Sequence, residues 1–120
     1  MAATLKRREE YRALRRRFEP EEIKLVIITE APPSSGLCFY DPIGLTTEPL
    51  FAAIMRELGR SPKTREDGLR EMQRRGWVLV DATHEPVHGL RPAARDAVIA
   101  RDYPLLRDDL KALLGVGRSQ

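Results

Sequence analysis

The chain has 120 residues, of which 42% are hydrophobic and 32% charged, with a formal net charge of +3. This length predicts a single domain over residues 1–120. No apolar run is long enough to span a bilayer, and residues 1–24 lack the apolar core of a secretory signal, so a cytoplasmic protein is expected. One cysteine, Cys38, excludes an internal disulfide, a zinc finger and an all-cysteine iron–sulfur cluster; its apolar neighbours favour a packed thiol.

Basic side chains are concentrated near the amino terminus, where the composition predicts a helix over about Thr4–Phe18. Residues 6–17 contain seven basic and two acidic side chains, a local net charge of +5. Such a helix favours binding to a polyanion, with Arg15 and Arg16 as candidate phosphate contacts. The alternative is a helix whose arginines cover its own domain.

Two apolar runs predict buried strands, and capping signals predict helices between them. Ile23–Thr29 is apolar at consecutive positions, which is typical of a strand covered on both faces. A helix is predicted from about Pro49 to Leu58, with Thr47 as its cap and Gly59 as its end. The next helix is predicted over about Thr64–Arg75, with Leu69 and Met72 inward and Gly76 as its end.

"WVLVDAT" at 77–83 predicts the second strand, and two more helices are expected at about Ala93–Ala100 and Tyr103–Leu114, the latter capped by Asp102. The order α-β-α-α-β-α-α indicates an α/β fold with an open parallel sheet flanked by helices. Ligands of such sheets bind beyond the carboxyl ends of the strands, so the loops "TEAPPSSG" and "DATHEPVHG" are expected to form the site. Two strands are too few for a stable sheet. Either other segments are strands as well, or a second copy completes the sheet and makes a homo-oligomer, or the chain is a shortened form of a larger domain.

Four segments together resemble the uracil-DNA glycosylase superfamily. "GLCF" at 36–39 is similar to the segment whose phenylalanine stacks on the extruded uracil, and "TEAP" at 29–32 resembles the loop that carries the catalytic carboxylate in the thermostable bacterial branch. "PLFAAIMREL" at 49–58 is similar to the helix after the uracil pocket, and "WVLVDAT" resembles the next strand, whose end carries the base-reading asparagine. The resemblance covers about half the chain.

This resemblance implies recognition of an extruded base in single-stranded or damaged DNA, with hydrolysis of its N-glycosidic bond as a further step. No cofactor or metal is implied, and no membrane contact is expected. The roles that the resemblance implies are that Glu30 activates water, Phe39 stacks on the base with Tyr40 beside it, and Asp81 reads its edge. From its place in the second loop, His84 is expected to read or steady the base together with Asp81. Ser34 and Ser35 are expected to hold phosphates together with Arg15 and Arg16.

The sequence departs from the family in ways that favour a non-catalytic alternative. The loop between Pro32 and Phe39 is short, and Asp81 replaces the asparagine. An ionised carboxylate only accepts hydrogen bonds, whereas uracil requires a donor as well. No counterpart of the late "HPS"-like loop is present, so we expect a fold that lacks the C-terminal strands. A module of this fold that binds nucleic acid or protein without chemistry is therefore the alternative function.

"HEPVH" at 84–88 formally matches the zinc-protease pattern, which makes a metal-dependent hydrolase a third and weaker interpretation. Pro86 disfavours the helix that would bring His84 and His88 to one face. A loop is expected instead, with His84 or His88 facing the same pocket as Glu30. Each candidate also has an ordinary structural interpretation: Glu30 as a solvated acid, Phe39 as core, and Asp81 as a loop cap.

Overall fold

The structure is a computed structural model that describes residues 2–32, 38–85, 87 and 89–115, with side chains from residue 7 onward. Ser34, Ser35 and His88 lie outside these residues. The described part has six regular elements, fewer than the seven predicted. They are α1 (Ala2–Arg16), β1 (Leu25–Thr29), α2 (Pro49–Leu58), α3 (Arg65–Arg75), β2 (Trp77–Asp81) and α4 (Pro92–Leu114).

The two strands form a parallel two-stranded sheet, which confirms the α/β class. Their register runs from Leu25 beside Trp77 to Thr29 beside Asp81. The central residues of β2 are buried, as their apolar run predicts. The expectation that the first strand is covered on both faces is wrong, because Leu25 and Ile28 are 41% and 53% exposed. The apolar run of β1 therefore borders an open side of the sheet.

The ends of α2 and α3 follow their capping signals with one difference. Gly59 and Gly76 end the two helices in the left-handed conformation, which glycine adopts without strain. Thr64 caps α3 by accepting a hydrogen bond from the Asp67 backbone N–H. The cap of α2 is Glu48 and not the predicted Thr47, because the Glu48 carboxylate accepts from the backbone N–H groups of two residues in the first turn.

The core lies between the sheet, α2, α3 and the segment after α1. Its largest fully buried side chains include Phe18, Phe51, Leu69 and Met72, which pack with the buried residues of β2. The inward positions Leu69 and Met72 were predicted from the helical period of the sequence. The helices that contact β2 are α3 and α4, and Leu113 of α4 is also part of this core.

The last two predicted helices are one continuous helix, α4, so the predicted break at Asp102 is wrong. Pro104 lies inside α4 and removes one backbone donor without ending the helix. The Asp102 carboxylate does not cap a new helix; it accepts a hydrogen bond from the Thr83 hydroxyl at 2.5 Å and pairs with Arg101. Within the described ranges, no helix combines the length and the apolar character needed to cross a membrane.

Candidate functional site

A cavity of about 300 Å³ lies where β1 and β2 end, at the edge of the sheet predicted to hold the site. Its wall begins with Ala31 and Pro32 after β1 and Asp81 at the end of β2. The segment after Cys38 and the start of α2 complete the wall. The other lining residues are Cys38, Phe39, Asp41, Gly44, Leu45, Thr47, Glu48, Pro49, Leu50 and Arg65.

Asp81 is the acidic group at the end of the sheet in this cavity. Its Oδ1 accepts a hydrogen bond from the hydroxyl of Thr29, the residue beside it in the register. Burial raises the pKa of Asp81 to about 6, although the Thr29 hydrogen bond opposes the shift. Asp81 is therefore mainly ionised at neutral pH and takes up a proton in mildly acidic solution.

Phe39 lines the cavity and is also part of the core, with 7% of its surface exposed. Its ring meets the Tyr40 ring edge to face at 5.3 Å between centroids and is tilted against Phe51 at 6.1 Å. The structure is thus compatible with Phe39 as a stacking surface for a base and with Phe39 as an ordinary core residue. Packing on two sides holds the ring in place, which favours a fixed stacking surface.

Arg65 holds the segment that carries Phe39, a role that the sequence did not reveal. The buried guanidinium donates to the carbonyl oxygen of Phe39 through Nε at 3.1 Å and Nη2 at 2.8 Å, and to that of Leu45 through Nη1 at 2.8 Å. It also lies over the Phe39 and Phe51 rings, 5.2 and 4.6 Å from their centroids. Burial lowers the pKa of Arg65, and the nearby Glu48 carboxylate opposes this shift.

Glu48 joins the same wall to α2. Its Oε2 accepts from the backbone N–H of Leu50 at 2.8 Å, and its Oε1 accepts from that of Phe51 at 3.2 Å and lies 3.4 Å from Nη2 of Arg65. In "TTEPL", the sequence favours Thr47 as the cap, because threonine is more common than glutamate at this position. The contact between Arg65 and Glu48 could not be predicted from the sequence, because the two residues are 17 positions apart and no local pattern links them.

Glu30, the predicted catalytic acid, lies outside the cavity wall. Its side chain is 50% exposed, and its Oε1 lies 3.4 Å from Nε of Arg95 on α4. Ala31, the next residue, lines the cavity. The structure therefore places Glu30 at the same edge of the sheet as Phe39 and Asp81 without bringing its carboxylate into their cavity.

His84 is buried on the other side of Asp81, with 4% of its surface exposed. Its ring meets the Tyr11 ring edge to face at 5.0 Å, and burial together with the arginines of α1 lowers its pKa to about 4. It lines a separate cavity of about 10 Å³, large enough for about one water molecule, that Asp81 and Arg15 also line. The expected shared pocket of His84 and Glu30 is therefore not formed.

The described residues give no support to the metal interpretation of "HEPVH". Among them, no group of three histidine, cysteine, aspartate or glutamate side chains could hold a metal ion. His84 packs its ring against Tyr11, and no helix begins at it. The motif is thus a loop on the described side of Pro86, as its proline predicts.

The arginines of α1 have different environments. Arg15 is 5% exposed and pairs with Glu19 at 3.2 Å, so its guanidinium is used inside the molecule and is not presented to a phosphate. Arg8 is buried as well and donates to the Asp109 carboxylate of α4 at 2.7 Å. Arg16 is exposed. The interpretation that arginines cover their own domain thus describes Arg8 and Arg15, and Arg16 is still available to a polyanion.

Tyr40 and Cys38 belong to the core. The Tyr40 hydroxyl oxygen accepts a hydrogen bond from the backbone N–H of Leu79 at 2.8 Å, and its ring is 2% exposed, so it offers no surface to a base. Burial raises the pKa of Tyr40. Burial also raises the pKa of Cys38 to about 11, which agrees with a packed thiol.

Comparison of the chain with protein-family models, with curated proteins and with solved structures finds no match. A function for the chain is therefore inferred from the geometry and chemistry of its cavity.

Proposed function

We propose that this protein binds a single unstacked base of DNA in the cavity between Phe39 and Asp81. The observation that carries the proposal is that an aromatic ring and a half-buried carboxylate line one cavity of about 300 Å³ at the carboxyl edge of a parallel sheet. This volume is at the lower end of the range for small-ligand sites. The resemblance of four segments to the uracil-DNA glycosylase superfamily supports the same ligand class.

The chemistry of the wall favours one kind of base edge. A base between apolar residues gains about 1–3 kcal/mol from stacking on an aromatic ring. Thr29 donates to one oxygen of Asp81, and the carboxylate still has acceptor capacity for a base. Because the ionised form cannot donate to a carbonyl oxygen, we propose that the site prefers bases that present an amino group over uracil at neutral pH.

The test compares two oligonucleotides that differ only at one position, an unpaired base or an abasic site. Fluorescence anisotropy at a fixed salt concentration measures both affinities, since salt alone changes the phosphate contribution. We expect the base-containing strand to bind about 10-fold or more tightly, the equivalent of one stacked base. Equal affinities would contradict the proposal.

A pair of threonine variants locates the binding. Thr47 lines the cavity and is exposed, so Thr47→Trp fills space in it without changing the core. Thr46→Trp makes the same substitution one residue earlier, at a position that does not line the cavity. Loss of the base preference in the first variant and its retention in the second is the expected result. Loss of the base preference in both variants would indicate that the base binds to the loop around Thr46 and Thr47 and not in the cavity.

Hydrolysis of the N-glycosidic bond is the second candidate, because Glu30 lies directly before the cavity-lining Ala31. Uracil-containing single-stranded DNA is incubated with the protein and then tested for alkali-labile sites, beside Glu30→Gln. Cleavage by the wild type that the variant loses would support an enzyme. Base-dependent binding without cleavage supports a binding module, which the position of Glu30 outside the cavity favours.

A further inference from the structure

The outer edge of β1 carries backbone groups that its own sheet does not use. In the parallel register, Leu25, Ile27 and Thr29 direct their backbone groups toward β2: the Leu25 N–H donates to the Gly76 carbonyl, and the Thr29 carbonyl accepts from the Ala82 N–H. By alternation, Val26 and Ile28 direct their N–H and C=O groups to the opposite edge. No strand lies at that edge within the residues that the structure describes.

This edge also lacks the features that normally protect an edge strand. β1 has the sequence LVIIT, with no charge and no proline, and Leu25 and Ile28 are exposed on its two faces. A sheet of two strands is marginal, and one of three or more is needed for independent stability. The edge is therefore suited to pairing with another strand.

We propose that β1 pairs antiparallel with β1 of a second copy, about a two-fold axis at Ile27. Val26 of each copy then lies opposite Ile28 of the other, so that the unused N–H and C=O groups of both residues exchange hydrogen bonds. Ile27 lies opposite its own equivalent, and Leu25 lies opposite Thr29. The two sheets become one sheet of four strands. The base-binding proposal is not needed for this inference.

Charge selects a second copy as the occupant. Lys24 immediately precedes β1 and Glu30 immediately follows it, with side chains 68% and 50% exposed. The register about Ile27 places Lys24 of one copy opposite Glu30 of the other at both ends of the paired strands. Opposite charges at such positions stabilise strand pairing, and like charges destabilise it. The edge is thus complementary to itself in charge as well as in backbone hydrogen bonding.

Sedimentation equilibrium over a concentration series tests the proposal with charge variants. We expect the wild type to dimerise and Glu30→Lys, which places lysine opposite Lys24 twice, to raise the dimer dissociation constant about 10-fold or more. Lys24→Glu tests the same repulsion with glutamates should the first variant not fold, as checked by circular dichroism. The double variant Lys24→Glu/Glu30→Lys restores the pairing of opposite charges and is expected to restore dimerisation.

Glu66→Lys is the matched control. Glu66 is 49% exposed and pairs with Arg70 at 3.9 Å, much as Glu30 pairs with Arg95, but it lies on α3. Its variant is expected to dimerise like the wild type. A wild type that stays monomeric throughout the series would overturn the proposal. An equal loss of dimerisation in Glu30→Lys and in the control, or no recovery in the double variant, would overturn the register.

Discussion

The protonation state of Asp81 decides which hydrogen bonds the end of the sheet can offer to a ligand. The carboxylate lies between the larger cavity on one side and the water-sized cavity with His84 on the other. Its pKa of about 6 means that it accepts hydrogen bonds at neutral pH and gains a donor only in mild acid. If the site binds bases as proposed, its preference for uracil should therefore depend on the protonation of this one side chain.

His84 gives a pH dependence of stability with a defined sign. Its pKa is about 4 in the folded protein, below its ordinary value of 6.5, so protons bind the unfolded chain more readily. The stabilisation from a neutral His84 is fully present above pH 6.5 and is lost as the pH falls from there through 4. Between pH 7 and 4, wild type should lose about 3 kcal/mol of unfolding free energy relative to His84→Phe, which cannot ionise.

Urea unfolding of both proteins at the two pH values measures this difference, and contributions common to both proteins cancel in it. His84→Phe is a suitable reference because the phenyl ring retains the edge-to-face contact with Tyr11. A difference in unfolding free energy between the two proteins that does not change with pH would contradict the buried, neutral state of His84.

At the scale of elements, the contact between α2 and α3 depends on one residue without a side chain. Gly68 lies inside α3, where alanine would ordinarily favour the helix by about 1 kcal/mol. A Cβ atom there would lie 2.3 Å from Cζ of Phe51 and 2.9 Å from Sδ of Met55. Close packing therefore outweighs helix propensity at this position.

We accordingly expect Gly68→Ala to destabilise the protein by about 1–3 kcal/mol, as overpacking does in other cores. Thermal or urea unfolding measures the change. A double-mutant cycle with Phe51→Leu identifies the cause, because the smaller side chain should remove part of the penalty of the alanine. If the single variant Gly68→Ala instead stabilises the protein, α2 and α3 are further apart than the structure shows.

At the scale of the whole molecule, the small sheet makes stability and association inseparable if β1 pairs with a second copy. Anything that binds the folded state alone raises its apparent stability with concentration. We expect the thermal midpoint of the wild type to rise as protein concentration increases, and that of Glu30→Lys to be nearly constant. Differential scanning calorimetry over a wide concentration range checks this expectation. A thermal midpoint of the wild type that is independent of protein concentration would indicate a monomer whose two-stranded sheet is stable without a second copy.

The amino-acid sequence was enough to predict the positions of most elements, the glycine ends of α2 and α3, the inward residues of α3 and the edge of the sheet that carries the cavity. These features depend on residues that are close along the chain, through capping hydrogen bonds and the period of apolar side chains. Tertiary packing alone turns Arg15 inward, leaves Glu30 outside the cavity and buries His84 beyond Asp81. It also makes Arg65 hold the segment around Phe39, because partners 26 residues apart are selected by packing of the whole chain and leave no local pattern.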